Sequence, residues 1–114
     1  MKKISPSELI IVKYLWDMEE SGKRGISFKE IFEAVGGERA KQTVNTLLTR
    51  LIRFGYIYYE GSEGRRLYFT SISRTAYAWL LLEELFPKLE KKKVLQELRK
   101  DMNQKSDMQS ERLI

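Results

Sequence analysis

The chain has 114 residues, 42% of them hydrophobic and 11% aromatic, with 32% charged side chains and a formal charge of +5. That size and balance predict one soluble globular domain with room for a helical extension and none for a multidomain enzyme. With no Cys and no His, structural zinc, thiol redox chemistry, disulfides and imidazole-activated nucleophiles are excluded.

The apolar run Leu9 to Val12 stops at Lys13, too short for a signal peptide, and the longest such run, Ala76 to Leu82, has seven residues. A membrane-spanning helix needs roughly 20, so a cytoplasmic protein without membrane contact is expected. The charge is unevenly placed. Residues 1 to 37 sum to zero, residues 38 to 75 to +4 and the last third to +1, and six of the seven cations in the middle third are Arg. Arg is the side chain best suited to forked phosphate and guanine contacts. The bland alternative is an ordinary basic surface.

In chain order, Ser5-Pro6-Ser7-Glu8 reads as a capping box, with Ser5 accepting from the Glu8 amide, Glu8 reaching back and Pro6 in the first turn. A helix follows to about Met18, with apolar residues nearly all round and a narrow solvent strip at Glu8, Lys13 and Asp17. Glu19 to Gly25 reads as a loop. Ser27-Phe28-Lys29-Glu30 repeats the capping-box spacing and opens a short helix that Gly36-Gly37 stops. A third helix starts near Arg39 or Lys41 and ends at Phe54, with Gly55 as its left-handed cap. Val44, Leu47, Leu48 and Leu51 recur on one side of it, and Gln42, Thr46, Thr49 and Arg53 on the other, flanked by Asn45 and Arg50.

Tyr56 to Glu60 and Arg65 to Ser71 read as two strands joined by the turn Gly61-Ser62-Glu63-Gly64. Three helices closed by a hairpin make a winged helix-turn-helix, in which the third helix enters the DNA major groove. From Ser73 a further helix carries Tyr77, Trp79, Leu80, Leu81, Leu82, Leu85 and Phe86 without a broad polar face. Pro87 marks a break, and Val94, Leu95, Leu98 and Met102 share one side of the charged stretch after it. The expected fold is mainly α with a small β-hairpin wing. Residues 1–72 form the DNA-binding domain, 73–103 a helical dimerisation segment and 104–114 a polar, frayed tail.

The polar face of the third helix is the sharpest functional signal, because residues 40 to 55 contain no acid, whereas solvated helix faces are usually rich in Glu. An acid-free face suits a polyanion, and Asn, Gln and Arg make paired base contacts. Arg65 and Arg66 on the wing suit phosphate or a narrow minor groove, although Glu63 offsets them in part. Tyr56, Tyr58, Tyr59, Tyr68 and Phe69 suit packing on helices better than stacking on single-stranded bases. The acid pairs Glu19-Glu20 and Glu83-Glu84 diverge by about 100° on a helix and read as solvated charges rather than catalysts. The apolar residues Tyr77, Trp79, Leu82, Leu85, Phe86, Leu95 and Leu98 exceed what a domain of this size can cover, which favours a dimer contact over monomer core.

Ile4-Ser5-Pro6-Ser7-Glu8-Leu9 followed by Val12, Leu15 and Trp16, then Thr43-Val44-x-Thr46-Leu47-Leu48-x-Arg50-Leu51 and Gly55-Tyr56, resembles the penicillinase repressors, the BlaI/MecI/CopY family. The similarity runs from residue 4 to about 72 and continues as a shared layout through the C-terminal helices, which dimerise in that family. It implies a homodimeric bacterial repressor that occupies a palindromic double-stranded operator. The operator contacts it implies fall on Thr43, Thr46, Thr49 and Arg50. Helical geometry adds Lys41, Gln42 and Asn45, and the wing adds Arg65 and Arg66.

Antibiotic-responsive members are cleaved between Asn and Phe in the dimerisation segment. Asn45 and Asn103 are the only Asn residues here and neither precedes Phe, so induction by that route is not expected. The cysteine cluster of the copper-responsive members is also missing, which leaves an inducer or protease as an unidentified further partner. No metal or cofactor is required. A winged-helix protein-interaction module and a non-specific nucleic-acid-binding protein are the alternatives to a sequence-specific repressor.

Overall fold

The computed structural model describes residues 2–86 and 91–112, with side chains for residues 2–86 and 92–102. Its elements are α1 (Pro6–Glu20), β1 (Ile26–Ser27), α2 (Phe28–Val35), α3 (Lys41–Arg53), β2 (Ile57–Glu60), β3 (Leu67–Thr70), α4 (Arg74–Leu85) and α5 (Lys91–Arg112). They divide into two compact units, Met1–Ala76 and Tyr77–Ile114. The break predicted at Pro87 lies outside the described residues. None of the described helices is long and apolar enough to cross a membrane.

In the first unit α1 begins as its sequence requires. Ser5 is extended at the N-cap, its Oγ accepts from the Glu8 amide at 3.3 Å, and Pro6 stands in the first turn, where its missing N–H costs nothing. The buried stripe runs Glu8, Ile11, Val12, Leu15 and Trp16, at helical spacing. This corrects the expected solvent strip. Ile10 is exposed and Glu8 is buried, because the core side of α1 is set by where α2, α3 and β3 pack against it. The helix also runs two residues past Met18 and closes with Gly22 at φ +98°, where the amides of Gly22 and Lys23 take up the carbonyls of Glu19 and Met18.

Glu19 is likewise not a solvated charge. Its carboxylate accepts from the Thr70 amide at 3.0 Å and from the Thr70 hydroxyl at 2.6 Å, joining the end of α1 to β3. Trp16 donates from Nε1 to the Ile72 carbonyl at 2.8 Å. Arg74 pairs with Asp17 and, at 3.3 Å, with Glu20. The hydrogen bond to Asp17 is the main cause holding the Arg74 guanidinium above its ordinary pKa.

Ser27 caps α2 as the spacing requires, accepting from the Glu30 amide at 3.2 Å, while the Glu30 carboxylate turns to Lys23 at 2.9 Å. Val44, Leu47, Leu48 and Leu51 of α3 are buried. Past α3, Gly55 adopts φ +82°, and the amides of Gly55 and Tyr56 bond to the carbonyls of Ile52 and Leu51. This Schellman closure puts buried Tyr56 beside buried Leu51 and turns the chain into β2. The hairpin is tied by Ile57↔Thr70, Tyr58↔Phe69, Tyr59↔Tyr68 and Glu60↔Leu67. Its strands are shorter than expected and its tip runs from Gly61 to Arg66. The sheet has a third strand that the pattern did not announce: β1 pairs with β3 through Ile26↔Tyr68 and Ser27↔Leu67, giving the antiparallel order β1-β3-β2. Two residues are too few to show alternation, so β1 is defined by its partner alone.

In the second unit the backbone of α5 runs from Lys91 to Arg112. Residues 104–112 contain no Gly or Pro and are mostly Gln, Lys, Met, Glu and Arg, good helix formers.

Leu48→Ala is expected to lower unfolding stability by about 2–5 kcal/mol, through lost transfer energy and a residual cavity. Urea denaturation followed by circular dichroism measures it, and a loss under ~1 kcal/mol would show that the site collapses around the smaller side chain.

Candidate nucleic-acid interface

Because the apolar stripe of α3 is committed to the core, Lys41, Gln42, Thr43, Asn45, Thr46, Thr49, Arg50 and Arg53 all face solvent. Thr46 donates its hydroxyl proton to the Gln42 carbonyl and Thr49 to the Asn45 carbonyl, each at 2.9 Å. With their protons engaged, both present a methyl group and an acceptor oxygen, suited to a thymine methyl or a base amino group. Ala40, at the N-cap, supplies no side-chain hydrogen bond to the helix start. The positive end of the helix dipole therefore sits beside Lys41 without a side-chain cap.

The first turn of α3 forms one wall of a cleft of about 700 Å³. Lys41, Gln42 and Asn45 line that wall, Ser27, Phe28 and Lys29 come from the start of α2, and residues 63–68 from the wing. Lys29, Lys41, Arg65 and Arg66 thus surround a concave surface whose lining holds one acid, Glu63. The sheet order explains the gathering, since β1 leads directly into α2 and pairs with β3, the strand that Arg65 and Arg66 immediately precede. Arg65 is exposed. Arg66 is half-buried, its guanidinium lying 4.2 Å from the centre of the Tyr59 ring, and its Nε is buried without a hydrogen bond. Stacking of this kind stiffens the wing and aims the side chain. Tyr56 and Tyr68 are core residues, while Tyr58 stacks on Phe69 at 5.1 Å.

Arg50 is not a lone cation. Its Nη2 lies 3.3 Å from Oε1 of buried Glu8, while nearly half of the Arg50 side chain remains exposed.

A family model described as penicillinase repressor matches residues 4–113. The chain belongs to the penicillinase repressor family. Membership makes it a transcription regulator rather than an enzyme. Among solved structures it is similar to MepR of Staphylococcus aureus, a transcription regulator of the multidrug efflux pump MepA. The TM-score is 0.53 at 19% identity, over 93% of this chain and 81% of that one. MepR bound to ethidium bromide gives a TM-score of 0.50 at 18% identity, over 93% and 79%. At these identities the likeness is one of fold, the winged-helix architecture. No curated protein sequence matches the chain significantly.

Of the residues that the family motif and helical geometry single out, Lys41, Gln42, Asn45, Arg65 and Arg66 meet in the cleft, whereas Thr43, Thr46, Thr49 and Arg50 lie elsewhere on α3. Sequence reasoning missed Lys29 and Glu8. Nothing in the pattern marked Lys29. The position of Glu8 on the stripe with Ile11, Val12 and Leu15 was a readable sign that it points inward. Of the apolar C-terminal residues, Tyr77 is buried within the protomer and Trp79 and Leu82 are half-buried. Leu85, Phe86, Leu95 and Leu98 are exposed, at 70%, 40%, 38% and 44%.

Arg50→Ala is expected to destabilise the fold by on the order of 1–3 kcal/mol, because it strips a buried carboxylate of its counter-charge. Chemical denaturation checks this, and unchanged stability would show that water reaches Glu8 and replaces the guanidinium.

Proposed function

We propose that the chain is a sequence-specific transcriptional repressor that acts as a homodimer on a dyad operator in the cytoplasm. The observation that carries this reading is the continuity of the acid-free α3 face with the cleft bearing Lys29, Lys41, Arg65 and Arg66. In this reading α3 enters the major groove, where Gln42, Asn45 and Arg50 address base edges and Thr43, Thr46 and Thr49 add short polar and methyl contacts. The cleft cations neutralise the flanking phosphates and fix the register of the helix. Family membership supports regulation by repression.

The homodimer rests on the exposed apolar side chains of the second unit. Leu85, Phe86, Leu95 and Leu98 would lose their contact with water against the same residues of a second copy. Two copies related by a dyad present two α3 helices about 34–36 Å apart, or a multiple of that, one per half-site. Repression then follows from occupancy of a promoter-proximal operator.

Selection from a randomised duplex library at near-physiological salt is expected to enrich a two-fold symmetric site. Recovery of no preferred sequence would overturn sequence-specific repression. On the selected duplex, Lys29→Ala and Lys41→Ala are each expected to lower the slope of log affinity against log salt by about 1. An unchanged slope would remove that residue from the phosphate contacts. Leu98→Asp, at a position already exposed in the protomer, is expected to give monomers in sedimentation velocity at concentrations where the parent chain is dimeric. A persistent dimer would move the interface elsewhere.

A further inference from the structure

A carboxylate taken out of water must be neutralised or paired. Glu8 is 1% exposed, and its Oε1 has no hydrogen-bond partner. A capping box would have returned this side chain to the Ser5 amide. Instead it points from α1 beneath α3 and meets Arg50 Nη2 at 3.3 Å. The arrangement is costly for a helix-start residue if capping were its only task, because Ser5 already caps the Glu8 amide.

The Arg50 side chain that it meets is 46% exposed, and the exposed residues of α3 beside it include Thr46 and Thr49. A guanidinium is planar and carries its donors in a fixed fork. A buried charge 3.3 Å from one terminal nitrogen, without hydrogen-bond geometry, restricts the rotamers of the long side chain and so the place of its guanidinium. Forked recognition of a guanine edge depends on where the guanidinium stands, and an Arg already restricted gives up less freedom on binding.

We infer that Glu8 is the positioning residue for Arg50, restricting where its guanidinium stands so that Arg50 discriminates one base pair in each half-site. The inference rests on the operator-binding reading above. Glu8 itself touches no DNA, and its effect passes entirely through Arg50. A merely structural ion pair would support affinity for every duplex alike, whereas a positioning pair governs the preference between base pairs.

The test is competitive fluorescence anisotropy on the selected duplex and on its single-base-pair variants. The proteins compared are the parent chain, Glu8→Gln, Arg50→Ala and the double variant, each first shown by circular dichroism to be folded at the temperature used. Glu8→Gln is expected to lose roughly tenfold or more of the discrimination at one base pair per half-site. The same base pair is expected to lose discrimination in Arg50→Ala, and the double variant to discriminate no worse than Arg50→Ala. Glu8→Asp withdraws the charge by one methylene and gives the same readout if the Gln variant does not fold.

Even weakening on all duplexes with discrimination intact, loss at a different base pair, or additive losses in the double variant would each overturn the inference. A parent chain that selects no site would overturn the operator reading and this inference with it. A selective parent with an equally selective Glu8→Gln variant would overturn the inference alone.

Discussion

Burial of Val44, Leu47, Leu48 and Leu51 leaves α3 one orientation, and the outer surface of the first unit follows from it. A helix of 13 residues with four apolar positions on one stripe can satisfy them only by turning that stripe inward, against α1 and the start of β2. The outward face is then prescribed residue by residue. At the far end, the left-handed turn at Gly55 bonds back into the last turn of α3 and starts β2 from a buried Tyr56. The recognition surface and the wing are thus set in register by the same packed helix.

Electrostatics is arranged by subtraction as much as by addition. The cations of the middle third would act on a mixed surface if neighbouring acids stood among them. Instead Glu8 is buried against Arg50, Glu19 is bound to the amide and hydroxyl of Thr70, and Glu30 is occupied by Lys23. These three acids serve joints within the unit, and the concave surface between α2, α3 and the wing keeps a single carboxylate, Glu63, among four cations. Charges gathered in a concavity with low-dielectric walls exert a stronger field than the same charges spread over a convex surface.

Much of this organisation was legible because it is local. Capping at Ser5 and Ser27, the closure at Gly55 and the division of α3 into two faces depend on neighbours within four residues, and the side-chain periods carry that information directly. The wing was readable for the same reason, as two β-rich runs around a glycine turn. The motif resemblance agreed with these local signs, and the family match over residues 4–113 bears it out. What escaped notice depends on partners distant along the chain. β1 exists only because Ile26 and Ser27 meet Tyr68 and Leu67, and Lys29 joins the cleft only through that pairing.

The sequence by itself determined which residues can form helices, which face of α3 is apolar, and that the middle of the chain is rich in Arg and poor in acid. These properties belong to side chains and to the 3.6-residue period, and they hold before any tertiary contact forms. Only the tertiary structure decided that Glu8 meets Arg50 and Glu19 meets Thr70, that Arg66 stacks on Tyr59, and that cations from α2, α3 and the wing share one cleft. Each of those depends on a residue at least seven positions away, whose approach is set by packing of the core rather than by local preference.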